Sequence, residues 1–206
     1  MDDLRQIPGR IASPGNCCES LVNLQMDVRN TKSRAMKLPE EKRTTLGLYV
    51  NSKEAFEMWK DAPQNVKILD VRTLEEYLYI GHAEMAYNIP AFIQTYQWDS
   101  EKNCFSLTLN DAFADQVRDQ FKRDDIILVT CRSGGRSALA VNLMASLGYA
   151  SVYNITDGFE GDTVKDPESE YSGKRMKNGW KNAGLPWTYE VDPDLVRVPT
   201  KMEHHV

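Results

Sequence analysis

The stretch IILVTCRSGGRSALAVNLMASLG, residues 126–148, decides how this chain folds. Its first five residues, Ile126 to Thr130, are almost wholly apolar, the mark of a strand buried on both faces of a parallel sheet. From Ser137 to Leu147 the residues Leu139, Ala140, Leu143, Met144 and Leu147 recur at helical spacing, which predicts a helix with that set on its inner face. Gly148 then supplies a helix terminator. Between strand and helix stands Cys131-Arg132-Ser133-Gly134-Gly135-Arg136-Ser137. Two glycines allow the backbone to curl tightly and turn successive N–H groups inward. The helix that follows aims its positive end at the same point, and Arg132 and Arg136 add fixed charge. Such a loop is expected to stabilise a thiolate, or another anionic sulfur, at Cys131. The plainer alternative is a glycine-rich turn whose cysteine is a small buried residue.

Outward from this centre, short apolar runs alternate with helical patterns. Strands are expected at Leu46–Val50, Val66–Val71, Ala86–Ile89 and Ser151–Ile155. Helices are expected after Asn51, which has Glu54 placed for a capping box, at Thr73–Tyr79, at Asp111–Phe121 and in the region before Trp187. Alternation of this kind predicts an α/β fold: a central, mostly parallel sheet with helices on both faces and its site at the carboxyl ends of the strands. The organisation read from the sequence is an N-terminal extension over residues 1–44, partly helical near Leu21–Val28, one domain over 45–190, and a tail over 191–206.

The 206 residues are 41% hydrophobic and 27% charged, ordinary globular composition, with a net charge of −5. That charge is spread along the chain, so nothing global points to nucleic acid or an anionic membrane. No apolar run is long enough to cross a bilayer. The start, Met1-Asp2-Asp3-Leu4-Arg5, lacks the basic opening of a secretory signal, so the cytoplasm is expected, or the periplasm if a leader precedes the chain. Cys17 and Cys18 have no metal-ligand spacing to a second pair and read as loose surface thiols. Cys104 as a resolving partner in a peroxide-sensing pair has no support beyond the cysteine count.

Three groups of residues carry a family resemblance. Cys131-Arg132-Ser133-Gly134-Gly135-Arg136-Ser137 resembles the active-site loop of the rhodanese family. Leu69-Asp70-Val71-Arg72, Glu75-Glu76-Tyr77, Gly81-His82 and Asn88-Ile89-Pro90 resemble its first signature. Gly148-Tyr149, Val152-Tyr153-Asn154-Ile155, Asp157-Gly158-Phe159 and Ala183-Gly184-Leu185-Pro186 resemble its closing segment. The resemblance covers roughly residues 46–188. It implies a rhodanese-like fold and a single-domain sulfurtransferase in which Cys131 is the persulfide carrier, with no cofactor and no metal. Arg132 and Arg136 would bind the anionic oxygens of a donor such as thiosulfate, and backbone amides from Ser133 through Gly134, Gly135 and Arg136 to Ser137 would hold the sulfur. The acceptor would be a thiol, cyanide or a protein, and neither nucleic acid nor membrane is involved.

Asp70 and Arg72 at a strand end, with Glu76 one helical turn away, read as a hydrogen-bonded structural pair that holds the sheet edge rather than as substrate contacts. His82 reads as a packing histidine, since attack by a thiolate on sulfur requires no separate base. Two departures from the family pattern stand out: Gly81-His82-Ala83-Glu84-Met85-Ala86 replaces Gly-His-Ile-Pro-Gly-Ala, and residues 161–178 form an insertion. That insertion is either a solvated loop or a flap beside Cys131 that selects the acceptor. Cysteine phosphatases and arsenate reductases use Cys-x5-Arg loops. Here Arg136 follows Cys131 after four residues and Ser137 occupies the required arginine's place. A non-catalytic binding or regulatory module is the remaining alternative.

Overall fold

The computed structural model describes residues 37–198. The extension expected over residues 1–44, including a helix near Leu21–Val28 and the cysteines Cys17 and Cys18, lies almost entirely outside the described residues, as does the tail beyond residue 198. Five strands form the central sheet: β1 (Tyr49–Val50), β2 (Val66–Asp70), β4 (Ala86–Asn88), β7 (Ile126–Thr130) and β8 (Val152–Ile155). Their order is β1-β8-β7-β2-β4, and every neighbouring pair is parallel. The most apolar run, β7, therefore sits at the centre, as continuous hydrophobicity demands.

Alternation along the strands sends side chains to two layers. On one side Ile68 and Leu128 join Val50, Ala55, Met58, Ile155, Phe159 and Trp180 beneath helix α1 (Ser52–Asp61). On the other, Leu69, Ile127 and Val129 meet helices α3 (Phe113–Gln120) and α4 (Gly135–Ser146). Helix α2 (Leu74–Ile80) follows β2. Helix α1 opens with the expected capping box of Asn51 and Glu54, and α2 opens with a second one that was not expected, between Thr73 and Glu76.

Two expectations need correction, and one pair of strands lies outside them. No helix forms before Trp187. Trp180 and Lys181 instead donate their amides to the carbonyls of Gly158 and Phe159, and a left-handed Gly184 (φ 71°) ahead of Pro186 stops the turn from propagating. The chain there ends in β9 (Trp187–Thr188), antiparallel to β3 (His82–Ala83). In α4 the buried set is Ala138, Ala140, Val141 and Met144, whereas Leu139 and Leu143 are 57% and 42% exposed. The small alanines face the sheet, and the two leucines border a surface pocket with Phe92 and Leu109. Those residues belong to an antiparallel hairpin, β5 (Phe92–Asp99) with β6 (Cys104–Leu109), that the sequence reading passed over.

Trp180 is 1% exposed, packs edge-on against Phe56 and donates its indole N–H to the Pro186 carbonyl at 2.8 Å. Replacing Trp180→Ala is expected to cost about 3–5 kcal/mol in urea unfolding, the cost typical of emptying a large aromatic site.

Candidate active site

Strand β7 delivers Cys131 to the carboxyl edge of the sheet, and the chain curls at once into α4. The curl is braced from behind by the segment after β8. The amide of Phe159 donates to the Cys131 carbonyl at 2.7 Å, and those of Glu160 and Gly161 donate to the Arg132 carbonyl at 3.0 and 3.1 Å. Two glycines make this approach possible. Gly134 has φ 99°, and a Cβ there would lie 2.4 Å from the Thr156 carbonyl oxygen. A Cβ on Gly158 would lie 2.6 Å from both the Cys131 carbonyl oxygen and the Ser133 nitrogen.

With the loop carbonyls engaged outward, the Gly134 amide turns inward and donates to the Cys131 Sγ at 3.2 Å. The Ser137 hydroxyl stands 3.4 Å from the same sulfur and 2.7 Å from the Asn154 Oδ1. Asn154 uses its Nδ2 protons on the carbonyls of Lys42 and Gly134, both at 3.0 Å, which fixes its oxygen toward Ser137. Ser137 has one proton for two acceptors, so it can turn that proton to the sulfur as negative charge develops there. Helix α4, twelve residues long, begins at Gly135 with its positive end beside this group. Cys131 itself is 1% exposed.

The charged residues divide into two sets. Arg136 holds Glu76 with two parallel hydrogen bonds of 2.6 Å. Burial disfavours ionised Glu76, but the Arg136 bonds outweigh it and keep its pKa below the ordinary carboxylate range. Burial likewise opposes the charge on Arg136, and Glu76 more than offsets it. Asp70 and Arg72 form the second set, both fully buried. Nε and Nη2 of Arg72 reach the Asp70 carboxylate at 2.6–3.0 Å, and Nη2 also donates to the Gly81 carbonyl at 2.7 Å. The guanidinium lies 4.2 Å from the Phe159 ring centroid. Asp70 and Arg72 form the hydrogen-bonded pair expected of them, at the carboxyl end of an interior strand rather than on an outer strand, and Glu76 bonds to the cysteine loop through Arg136. His82 stacks on Tyr77 at 3.6 Å, with its ring nitrogens against the carbonyls of Tyr77 and Glu190, and packs the turn after α2. Arg132 and Ser133 lie on the outer lip, Arg132 exposed and Ser133 half-buried.

Sequence reasoning overlooked Asn154 and Lys42 as parts of this arrangement. A polar residue inside the apolar run of β8 was the available signal for Asn154. Nothing local marks Lys42, whose ammonium donates to Thr156 and Asp162 from 8% exposure. Among the described residues no group of His, Cys, Asp and Glu is placed to hold a metal, and no helix is long and apolar enough to cross a membrane.

A mixed α/β domain with a central parallel sheet and a braced cysteine loop at its carboxyl edge defines the class. The profile of the rhodanese-like domain family matches residues 52–163, and the chain belongs to that family. It is 34% identical over 128 residues to the Rickettsia prowazekii protein RP600, an alignment spanning 61% of this chain and 85% of that one. It is also 34% identical over 93 residues to thiosulfate sulfurtransferase 16, chloroplastic, of Arabidopsis thaliana, covering 45% of this chain and 70% of the relative. Rv0390 from M. tuberculosis superposes with a TM-score of 0.54 at 29% identity, over 68% of this chain and 96% of that one.

Replacing Glu76→Gln strands the Arg136 charge and is expected to cost about 2 kcal/mol near neutral pH. Because the folded-state pKa of Glu76 is depressed, its contribution is present above the ordinary carboxylate pKa, about 4.3, and is lost as pH falls through the folded value. The stability difference between wild type and variant should therefore shrink as urea titrations move into that acid range.

Proposed function

We propose that the protein is a sulfurtransferase that carries a sulfane sulfur on Cys131. The observation that supports this most is the Gly134 amide on the Cys131 sulfur at the head of α4. A thiolate there attacks the outer sulfur of thiosulfate or a related donor. The bond between that sulfur and the sulfonate sulfur breaks, and sulfite leaves with the electron pair. The resulting persulfide is anionic, and amides from Ser133 to Ser137 with the α4 terminus stabilise its charge. A thiol or cyanide then takes the outer sulfur and restores Cys131, a double displacement.

In this reading Arg132, exposed on the lip, meets the donor's oxygens. Arg136 acts mainly through the field of its Glu76 pair and through the shape it gives the loop. The likeness to thiosulfate sulfurtransferase 16 supports the donor class. One observation favours a second reading, a non-catalytic rhodanese-like module: Cys131 is only 1% exposed, so a donor must find its way past the lip.

Mass spectrometry after incubation with thiosulfate separates the two. The enzyme gains one sulfur atom at Cys131 and loses it to cyanide, and Cys131→Ser gains none while melting as the wild type does. An unmodified Cys131 under the same conditions would leave the binding module as the better account.

A further inference from the structure

The apolar cluster beneath α3 and α4 does not stop at the edge of the domain. Phe92 packs against it and opens the β5–β6 ribbon, which carries apolar character outward in three rungs: Phe92 opposite Leu109, Gln94 opposite Leu107, and Trp98 opposite Phe105. Leu109, Leu107 and Phe105 stand two residues apart and so point to one face, and directly opposed residues share a face. All six side chains therefore look the same way. Trp98 and Phe105 meet edge to face, their ring centroids 5.2 Å apart. Trp98, Phe105, Leu107 and Leu109 are 40–65% exposed.

The ribbon is fastened at two points. At its base Asn110 donates its amide to the Ala91 carbonyl and an Nδ2 proton to the Pro90 carbonyl. Farther out, the Tyr96 hydroxyl donates to the Glu75 carboxylate of α2 at 2.7 Å. Phe92 and Leu109 border an open hollow of ≈ 160 Å³ with Leu139 and Leu143 of α4. Asp111 is the one charged residue lining it among the described residues, and no charge stands on the three rungs. Beside the outer rung, Lys102 and Asp99 are paired with each other at 2.9 Å.

This face has a protruding aromatic pair at one end, a hollow at the other, and Leu107 between them. A two-fold axis requires that pattern, since each copy must offer both members of every contact. A nearly neutral face also lets two chains of net charge −5 meet without like charges in contact there. With Leu139 and Leu143 included, the exposed fractions of side chains of about 150–250 Å² present roughly 600 Å² of apolar surface. Two such faces bury about 1,200 Å², the lower bound of stable protein interfaces before any polar rim is added.

We propose that this face binds a second copy of the chain. The copies lie antiparallel about a two-fold axis near Leu107, each seating a ring of its Trp98–Phe105 pair in the hollow beside Leu109, Leu139 and Leu143 of the other. The inference needs no sulfur chemistry and is independent of the proposed function.

Sedimentation equilibrium of the full chain tests it, over about 1 to 100 µM to bracket the micromolar affinities of modest interfaces. The wild type is expected to dimerise. Leu107→Glu and Leu107→Lys each set like charges across the axis and should raise the dimer dissociation constant at least tenfold, with unchanged circular dichroism. Mixing the two variants in equal amounts should restore the dimer, because the charges are then opposite. A wild type that stays monomeric throughout overturns the proposal, and the face then serves a different protein or another part of this chain. A dimer unaffected by either variant, or variants that do not recover on mixing, overturns it too. Should the Leu107 variants lose their native circular dichroism, Trp98→Ala decides: a dimer weakened tenfold sustains the proposal, and an unchanged one overturns it.

Discussion

The three amide-to-carbonyl hydrogen bonds from residues 159–161 to Cys131 and Arg132 are the constraint on which the site depends. A peptide unit points its N–H opposite to its C=O. Holding the Cys131 and Arg132 carbonyls on the 159–161 backbone fixes the direction of the Arg132 and Ser133 amides, and from this anchored start the chain turns so that the Gly134 amide reaches the Cys131 sulfur. The close approach tolerates no side chain at Gly134 or Gly158, which explains glycine at both positions in physical terms. The same segment runs directly into residues 161–178, which fold back on themselves through the hydrogen bonds of Val164 to Lys174 and of Gly173 to Val164.

Charge is arranged around this loop with little freedom. Arg136 is locked in a bidentate pair with Glu76, and Arg72 is locked with Asp70 beneath Phe159. Glu160 extends the cluster. Burial raises its pKa although Arg72, Arg132 and Arg175 act to lower it, and its carboxylate stands 3.8 Å from Arg72. Fixed pairs of this kind hold the shape of the loop and leave Arg132 as the exposed cation at its entrance. A preorganised field of this kind stabilises an anion without a reorganisation cost.

Much of the fold was legible because parallel strands announce themselves as continuous apolar runs. Ile126–Thr130 in the sequence is β7 to the residue. The hairpin was missed although Phe105 to Leu109 alternates in polarity. It packs no second layer, and a two-stranded ribbon with exposed aromatic residues imitates irregular surface chain. The helix expected before Trp187 failed because tertiary hydrogen bonds to Gly158 and Phe159 overrode a local pattern. In the site, the loop could be read because its residues are consecutive. Asn154 and Lys42 could not, because their roles arise from residues brought together across 20 and 112 positions of sequence.

The sulfur is enclosed, yet it is met by an amide rather than by hydrocarbon alone, and that distinction decides what the loop can hold. A crystal structure of the protein after reaction with thiosulfate tests this most directly. The account predicts a second sulfur bonded to the Cys131 Sγ, lying within hydrogen-bond reach of the Gly134 amide and of the amides that open α4. An added sulfur directed away from those amides, or an unchanged cysteine in protein that transfers sulfur, would contradict it.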